Sequence, residues 1–279
     1  MNAQPVPLDA APAARGSVLH TAGHRHGPIA RLVSPSDIGQ LIKPFVFLDH
    51  AVIAPANQPR IGMHPHSGIA TITVLLEGTL EYEDTTGRQG QLPAGGVEWM
   101  KAGNGVWHSG RVLPGETARA FQLWIALPAA DENGPAESQY VAPSDVQRDG
   151  PVRVILGSYG KAASPIPAPD GMNYFHVQLA DGQRWNYQPP AGHNVAWLAV
   201  DQGRLLVPQP VDSGQMVVFE EGEDGAIEVQ ADGPVSFVIG SAVKHPHPLV
   251  LGNYSVHTSA AALQRGEAEI ARIAQQLQQ

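Results

Sequence analysis

Between Phe45 and Leu127, short apolar segments rich in β-branched residues return about every ten residues, each closed by a glycine turn, and this spacing narrows the fold more than any other feature. Phe45-Val46-Phe47-Leu48-Asp49-His50, Ile69–Leu76, Leu80–Glu83, Val97–Met100 and Ala120–Leu127 read as strands. Glu77-Gly78, Thr86-Gly87 and Leu92-Pro93-Ala94-Gly95-Gly96 read as the turns between them. Strands this short, joined this tightly, form a barrel or a sandwich. The composition agrees: 30 Gly and 25 Pro against 15% charged residues favour an all-β chain over long helices. The exception is the C-terminus, where Leu263, Ile270, Ile273, Ala274 and Leu277 fall near one helical face, with Thr258 or Ser259 available as an N-cap.

The pattern occurs twice. Val195–Val200 followed by Asp201-Gln202-Gly203-Arg204-Leu205 echoes Thr73 to Leu80, and Asp212 to Phe219 echoes Pro93 to Met100. An offset of about 120 to 125 residues indicates an internal duplication. The expected organisation is a flexible tail over 1–16, a first β unit over 17–130, a Pro-, Asp-, Glu- and Gly-rich linker over 131–150, and a second β unit with the helix over 151–279.

With 279 residues, 43% of them hydrophobic, the chain can enclose one large or two medium cores that exclude water from an interior site. A net charge of −9 and no basic cluster argue against direct nucleic-acid binding. Neither a signal peptide nor an apolar run long enough to span a bilayer is evident, so a cytoplasmic protein without membrane attachment, and a monomer, is expected. The absence of cysteine removes disulfides, thiolate metal sites and cysteine nucleophiles together. No G-x-S-x-G elbow supports a serine hydrolase, and Gly103-Asn104-Gly105 reads as a tight turn, not a phosphate loop.

The chemistry concentrates in Met63-His64-Pro65-His66-Ser67-Gly68 and in Trp107-His108. Side chains two apart on a strand share a face, roughly 6 to 7 Å apart, which suits two imidazoles on one ion. Pro65 has no N–H to give a ladder and restricts the segment to a sheet edge, a strand start or a bulge. His64, His66 and His108 are therefore the expected metal ligands, with Met63, Trp99 and Trp107 as candidate pocket walls. If Gly203 corresponds to Gly78, the positions of His64 and His66 fall on Pro189 and Ala191, so the second unit is expected to hold no metal. His24-Arg25-His26 sits between glycines and reads as a solvated turn, and His245-Pro246-His247 as a Pro-stiffened loop past the last strand. The sequon Asn253-Tyr254-Ser255 has no meaning without secretion.

The stretch HPHSGIATITVLLEGTLEYEDTTGRQGQLPAGGVEWMKAGNGVWHSG resembles the N-terminal motif of the pirin family, whose pattern runs HPHRG, a strand ending LLEG, and PGD-x-QWM-x-AG-x-G-x-x-HSE. The resemblance implies a bicupin, two tandem cupin β-barrels, with one divalent ion in the first: Fe(II) foremost, with Ni, Mn, Cu or Zn as alternatives. It implies His64, His66 and His108 as ligands. It also implies a quercetin 2,3-dioxygenase acting on a flavonol-like small molecule or, alternatively, a non-catalytic metal-responsive protein that binds a transcription regulator or a metabolic enzyme. The chain departs from the pattern where His108-Ser109-Gly110 replaces His-Ser-Glu, whose glutamate is the family's fourth ligand and a plausible base. Three imidazoles leave the ion's charge uncompensated. Glu98, ten residues before His108, is the candidate replacement ligand or base.

Overall fold

The computed structural model describes residues 14–58 and 61–278. Among these residues the first half builds two facing antiparallel sheets. The larger runs in the order β12 (Glu137–Val141), β9 (Val97–Lys101), β6 (Ile69–Glu77), β11 (Ala118–Ala126), β4 (Phe45–Ile53), β3 (Ile29–Val33), β2 (His24–His26). The smaller runs β5 (Ile61–His66), β10 (Val106–Val112), β7 (Thr79–Asp84), β8 (Gln89–Pro93). The second half is one nine-stranded sheet in the order β1 (Ser17–Thr21), β21 (Met216–Phe219), β19 (Val195–Val207), β22 (Ile227–Ala242), β17 (Met172–Leu179), β14 (Val152–Leu156), β13 (Arg148–Asp149). Within it β18 (Arg184–Tyr187) pairs with β22 and β20 (Gln209–Asp212) with β19. Two short hairpins, β15 (Ser158–Tyr159) with β16 (Ala162–Ala163) and β23 (Val250–Gly252) with β24 (Ser255–His257), complete the strands; α1 (Ile38–Ile42) and α2 (Ala260–Leu277) are the α-helices, and Pro55–Asn57 forms one 3-10 turn. The architecture is that of two tandem cupin barrels with a C-terminal helix.

The duplication is visible in the backbone. Gly78, between β6 and β7, has φ 84, and Gly203, within β19, has φ 83. A Cβ at Gly78 would lie 2.4 Å from the Thr117 carbonyl oxygen, and one at Gly203 would lie 2.3 Å from that of Pro234. Each half thus bends a strand sharply against its neighbour at the same step, where only glycine fits.

The expected boundaries shift where pairing crosses them. Residues 1–13 of the expected tail lie outside the described residues, but Arg15 is buried, with its N–H on the Ala226 carbonyl and its guanidinium on that of Asp224. β1, expected in the first unit, hydrogen-bonds to β21 of the second. β12 lies inside the expected linker yet forms the edge of the first barrel against β9. The helix begins as anticipated, the Ser259 hydroxyl accepting from the Ala262 N–H, but it packs on the first half, its Ile270 carbonyl taking the Trp107 indole N–H at 3.0 Å. These swaps follow from unpaired edges: a terminal segment gains most by capping the edge nearest to it in space, whichever half that belongs to.

Alternation along the larger sheet decides where the core sits. Ala70, Ile72 and Val74 of β6, Val97 and Trp99 of β9, and Phe121, Leu123 and Ile125 of β11 join Tyr174, Trp197 and Val218 of the second half in one apolar cluster between the barrels. The opposite face of the same strands, Thr73, Leu75, Glu98, Ala120 and Gln122, lines a cavity inside the first barrel. No helix among the described residues is long and apolar enough to cross a membrane.

Candidate metal centre

β5 is an edge strand, one of the places open to its proline, and among the described residues pairs only with β10, which sets Pro65 opposite Trp107 and His108 opposite His64. That register brings three imidazoles together. His108 Nε2 lies 3.0 Å from His64 Nε2 and 3.1 Å from His66 Nε2. Each ring's other nitrogen faces an oxygen: His64 Nδ1 the Gly62 carbonyl at 2.8 Å, His66 Nδ1 the Tyr254 carbonyl at 3.1 Å, His108 Nδ1 the Glu98 carboxylate at 3.4 Å. Each Nδ1 has an oxygen to donate to, and in that tautomer three Nε2 lone pairs converge with no hydrogen between them. Burial, reinforced by neighbouring His108, lowers the pKa of His64, and burial with both neighbouring imidazoles puts that of His66 well below its ordinary value. Neutral imidazoles with facing lone pairs are a donor set for a divalent cation of intermediate softness. His64, His66 and His108 are the group able to hold a metal among the described residues.

The second layer is mostly backbone. Tyr254, at the tip of the β23–β24 hairpin, is the non-glycine residue with positive φ (60) among the described residues, and its carbonyl takes the His66 proton. A left-handed tyrosine costs on the order of 1–2 kcal/mol, so the hairpin, held by Ser67 hydrogen bonds to Ser255 and His257 (3.0 and 2.9 Å), over-determines that geometry. Behind His66 stands Trp124, ring centroids 4.9 Å apart, itself stacked on Phe47 at 4.0 Å. Glu98 accepts a 2.6 Å hydrogen bond from the Thr73 hydroxyl. Burial alone would raise its pKa, yet the bonds from His108 and Thr73 hold it below the ordinary carboxylate value.

The cavity beside the triad encloses about 100 Å³ and is lined by Ile53, Leu75, Leu80 and Val112 with His64, His108, Glu98 and Gln122. Ile61, Tyr82 and Gly110 also border an outer groove of about 720 Å³, so the cavity opens past them. Gly110, opposite Tyr82 on β7, lines the cavity with His108. Its φ is not in the left-handed region, and a Cβ there would find its nearest atom, Leu80 Cδ1, at 3.4 Å, so the glycine is not required by the backbone.

None of the three expected pocket walls lines this cavity. Met63 borders the outer groove, Trp99 is 2% exposed in the inter-barrel core, and Trp107 turns to α2. Each is the immediate neighbour of a cavity residue, His64, Glu98 or His108, and a strand's period of two turns neighbours to opposite faces. The walls are instead Leu75, Leu80 and Tyr82, with Trp124 as backing; Trp124 was legible by its spacing of two from Gln122, whereas the Gly62 and Tyr254 carbonyls carried no signal. Glu98 reaches His108 from the side away from the triad, so it is not part of the ligand group. His24, Arg25 and His26 are exposed, in the short strand β2 and not a turn. His245 is buried, its pKa lowered to about 4 by burial, His247 and Lys43, and among the described residues no third ligand joins this second HPH run. Pro189 and Ala191 lie in the loop between β18 and β19.

The pirin family profile matches residues 28–125, a span that contains the triad. A protein of Pseudomonas aeruginosa named "Putative quercetin 2,3-dioxygenase" is 32% identical over 238 residues, 80% of this chain and 83% of that one. A crystal structure of quercetin 2,3-dioxygenase from Acinetobacter baumannii superimposes with a TM-score of 0.82 at 24% identity, covering 93% of this chain and 98% of the other. A bacterial pirin from Escherichia coli, solved in complex with nickel(II), gives a TM-score of 0.61 at 21% identity over 84% of this chain and 98% of its own. With the pirin segment matched across the barrel that carries the triad, and a third of residues identical over four-fifths of its length, the chain belongs to the pirin family.

Proposed function

We propose that the chain is a metal-dependent dioxygenase of the pirin type that opens a flavonol ring with O₂, one divalent ion being held by His64, His66 and His108. The approach of the His64 and His66 Nε2 atoms to that of His108, at 3.0 and 3.1 Å, with every Nδ1 turned outward to an oxygen, carries the proposal. The names of the relatives supply the substrate class. Fe(II) remains the first expectation, and the nickel in the Escherichia coli pirin supports Ni(II) as an alternative. A bound ion would supply a Lewis-acidic centre that brings O₂ and an anionic substrate oxygen together.

The chain's own residues do the rest. Leu75, Leu80 and Val112 offer apolar walls to an aromatic ring, and Gln122 offers an amide to a ring oxygen. A flavonol exceeds the inner cavity of about 100 Å³, so its outer ring would lie in the groove beyond Ile61, Tyr82 and Gly110. Both atoms of O₂ would end in the ring-opened ester and one ring carbon would leave as carbon monoxide. The flavonol proton must be lost on binding, and the carboxylate that the family pattern offers for this is missing at Gly110.

Gly110 also favours a second reading, a metal-responsive module that binds a flavonol-like ligand or a protein partner without turnover. Quercetin consumption and O₂ uptake by freshly loaded protein separate the two, alongside elemental analysis of the same sample. The expected result is one ion per chain, slow turnover, and loss of both in His66→Ala. A loaded wild-type protein that consumes no O₂ with quercetin would leave only the binding module. Full metal content in His66→Ala would remove the site assignment.

A further inference from the structure

A divalent ion held by three neutral imidazoles would place two uncompensated positive charges inside a barrel, a costly arrangement unless an anion lies close by. Two carboxylates line the cavity, Asp49 and Glu98. Asp49 is paired with Arg31, and nearby Asp84 is engaged by Thr86 and by the Tyr140 hydroxyl. Glu98 alone of these is turned to a triad histidine. It is 3% exposed, its Oε1 lies 3.4 Å from His108 Nδ1, and its Oε2 is fixed by the Thr73 hydroxyl. β9 places it there by alternation, Val97 and Trp99 going to the inter-barrel core while Glu98 faces inward. The pirin pattern quoted above has a neutral glutamine where this chain has Glu98, just as it has a glutamate where this chain has Gly110.

We infer that Glu98 is the counter-charge of the metal centre: the negative charge has moved from the ligand position at 110 to the far side of His108, where it orients the ring and raises its basicity. Glu98 is thus a positioning residue and neither a ligand nor a base. A carboxylate behind a metal-binding histidine fixes the tautomer and strengthens the donor nitrogen, and its loss lowers metal affinity by roughly 10- to 100-fold. The two positions should therefore substitute for one another.

The inference rests on the metal reading above but not on turnover. The test is Co(II) binding by chelator competition, with the visible spectrum of the bound ion, on wild type, Glu98→Gln, Gly110→Glu and the double variant. Glu98→Gln should weaken binding by about 10- to 100-fold and shift the Co(II) bands. Gly110→Glu should tighten binding, and by several-fold more in the Glu98→Gln background than in wild type, returning the double variant close to the wild-type affinity. Unchanged affinity and spectrum in Glu98→Gln, or equal gains from Gly110→Glu in both backgrounds, would overturn the inference. If Glu98→Gln does not fold, Thr73→Val decides: the hydroxyl that holds Glu98 is lost, and binding should weaken several-fold, with unchanged affinity counting against. A wild-type chain that binds no Co(II) removes the metal centre and this inference with it; a loaded wild type without quercetin turnover leaves it standing.

Discussion

His176 shows how one buried side chain sets a pH limit on the scaffold. It lies on β17, 4% exposed, with Nε2 2.9 Å from the Ser236 hydroxyl and the Arg153 guanidinium 3.4 Å from Nδ1. Burial, and then the charge of Arg153, lower its pKa to about 4. Between an unfolded value near 6.5 and that folded value the unfolded chain binds the extra proton, so stability rises with pH across this window. The contribution is whole above pH 6.5 and is lost as the pH falls towards 4. In metal-free protein, where ligand protonation does not interfere, denaturant titrations at pH 7 and pH 4.5 should show His176→Gln losing less stability on acidification than wild type, the difference amounting to at most about 3 kcal/mol. An identical loss in both proteins would mean that His176 does not titrate in that window.

Among the elements, α2 ties the metal strand to the end of the chain. Gly266 weakens it as a helix, since glycine costs about 1 kcal/mol relative to alanine in a helix interior. The reason is spatial: a Cβ at 266 would lie 2.4 Å from Ser67 Oγ and 2.7 Å from His257 Nε2, in the middle of a buried network that runs on to Glu132, 3.2 Å from His257 Nδ1. Ser67, His257 and Glu132 have the order of a hydrolytic triad, but all three are buried beneath the helix and serve to fasten it. Gly266→Ala should therefore reverse the usual helix effect and destabilise by about 1–3 kcal/mol, as overpacking does. Thermal denaturation reads this directly, and a melting temperature equal to or above wild type would show that the helix can lift without cost.

For the molecule as a whole, the two barrels share what each would need to fold alone. Their largest apolar cluster lies between them, β1 completes the second sheet from the N-terminal side, and α2 covers the first from the C-terminal side. Buried Asp201 of β19 adds a polar tie, 3.1 Å from His50 Nε2 on β4 and 3.6 Å from the Arg119 guanidinium on β11. Stripping one barrel from the other would expose this cluster and leave Asp201 without its partners, each a large penalty. Scanning calorimetry of the metal-free protein should accordingly show one cooperative transition. Two resolved endotherms would mean that the interface contributes little to either half.

Much of this was set by the linear chain. The period-two apolar segments and their glycine turns determined the all-β class, because alternation and φ > 0 are local properties that a sequence displays directly. The echo of Thr73 to Leu80 in Val195 to Leu205 pointed to the duplication, and Pro65 restricted the strand carrying His64 and His66 to an edge, a start or a bulge. The convergence of His108 on that pair was legible through the pirin motif. The same alternation that pairs His64 with His66 turns Trp99 and Trp107 away from the cavity, and leaves Met63 on the outer groove alone. Other decisions belonged to the tertiary structure alone. The Gly62 and Tyr254 carbonyls that hold two of the three histidines are backbone groups, identical in every residue and so invisible in a sequence. β12 within the apparent linker, β1 in the opposite barrel and α2 on the first half depend on which unpaired edge or apolar face lies nearest in space, a distance that exists only once the chain has folded. Glu98 joins both levels: its strand face was fixed by its place beside Trp99, but its contact with His108 arose only when β9 and β10 closed around one cavity.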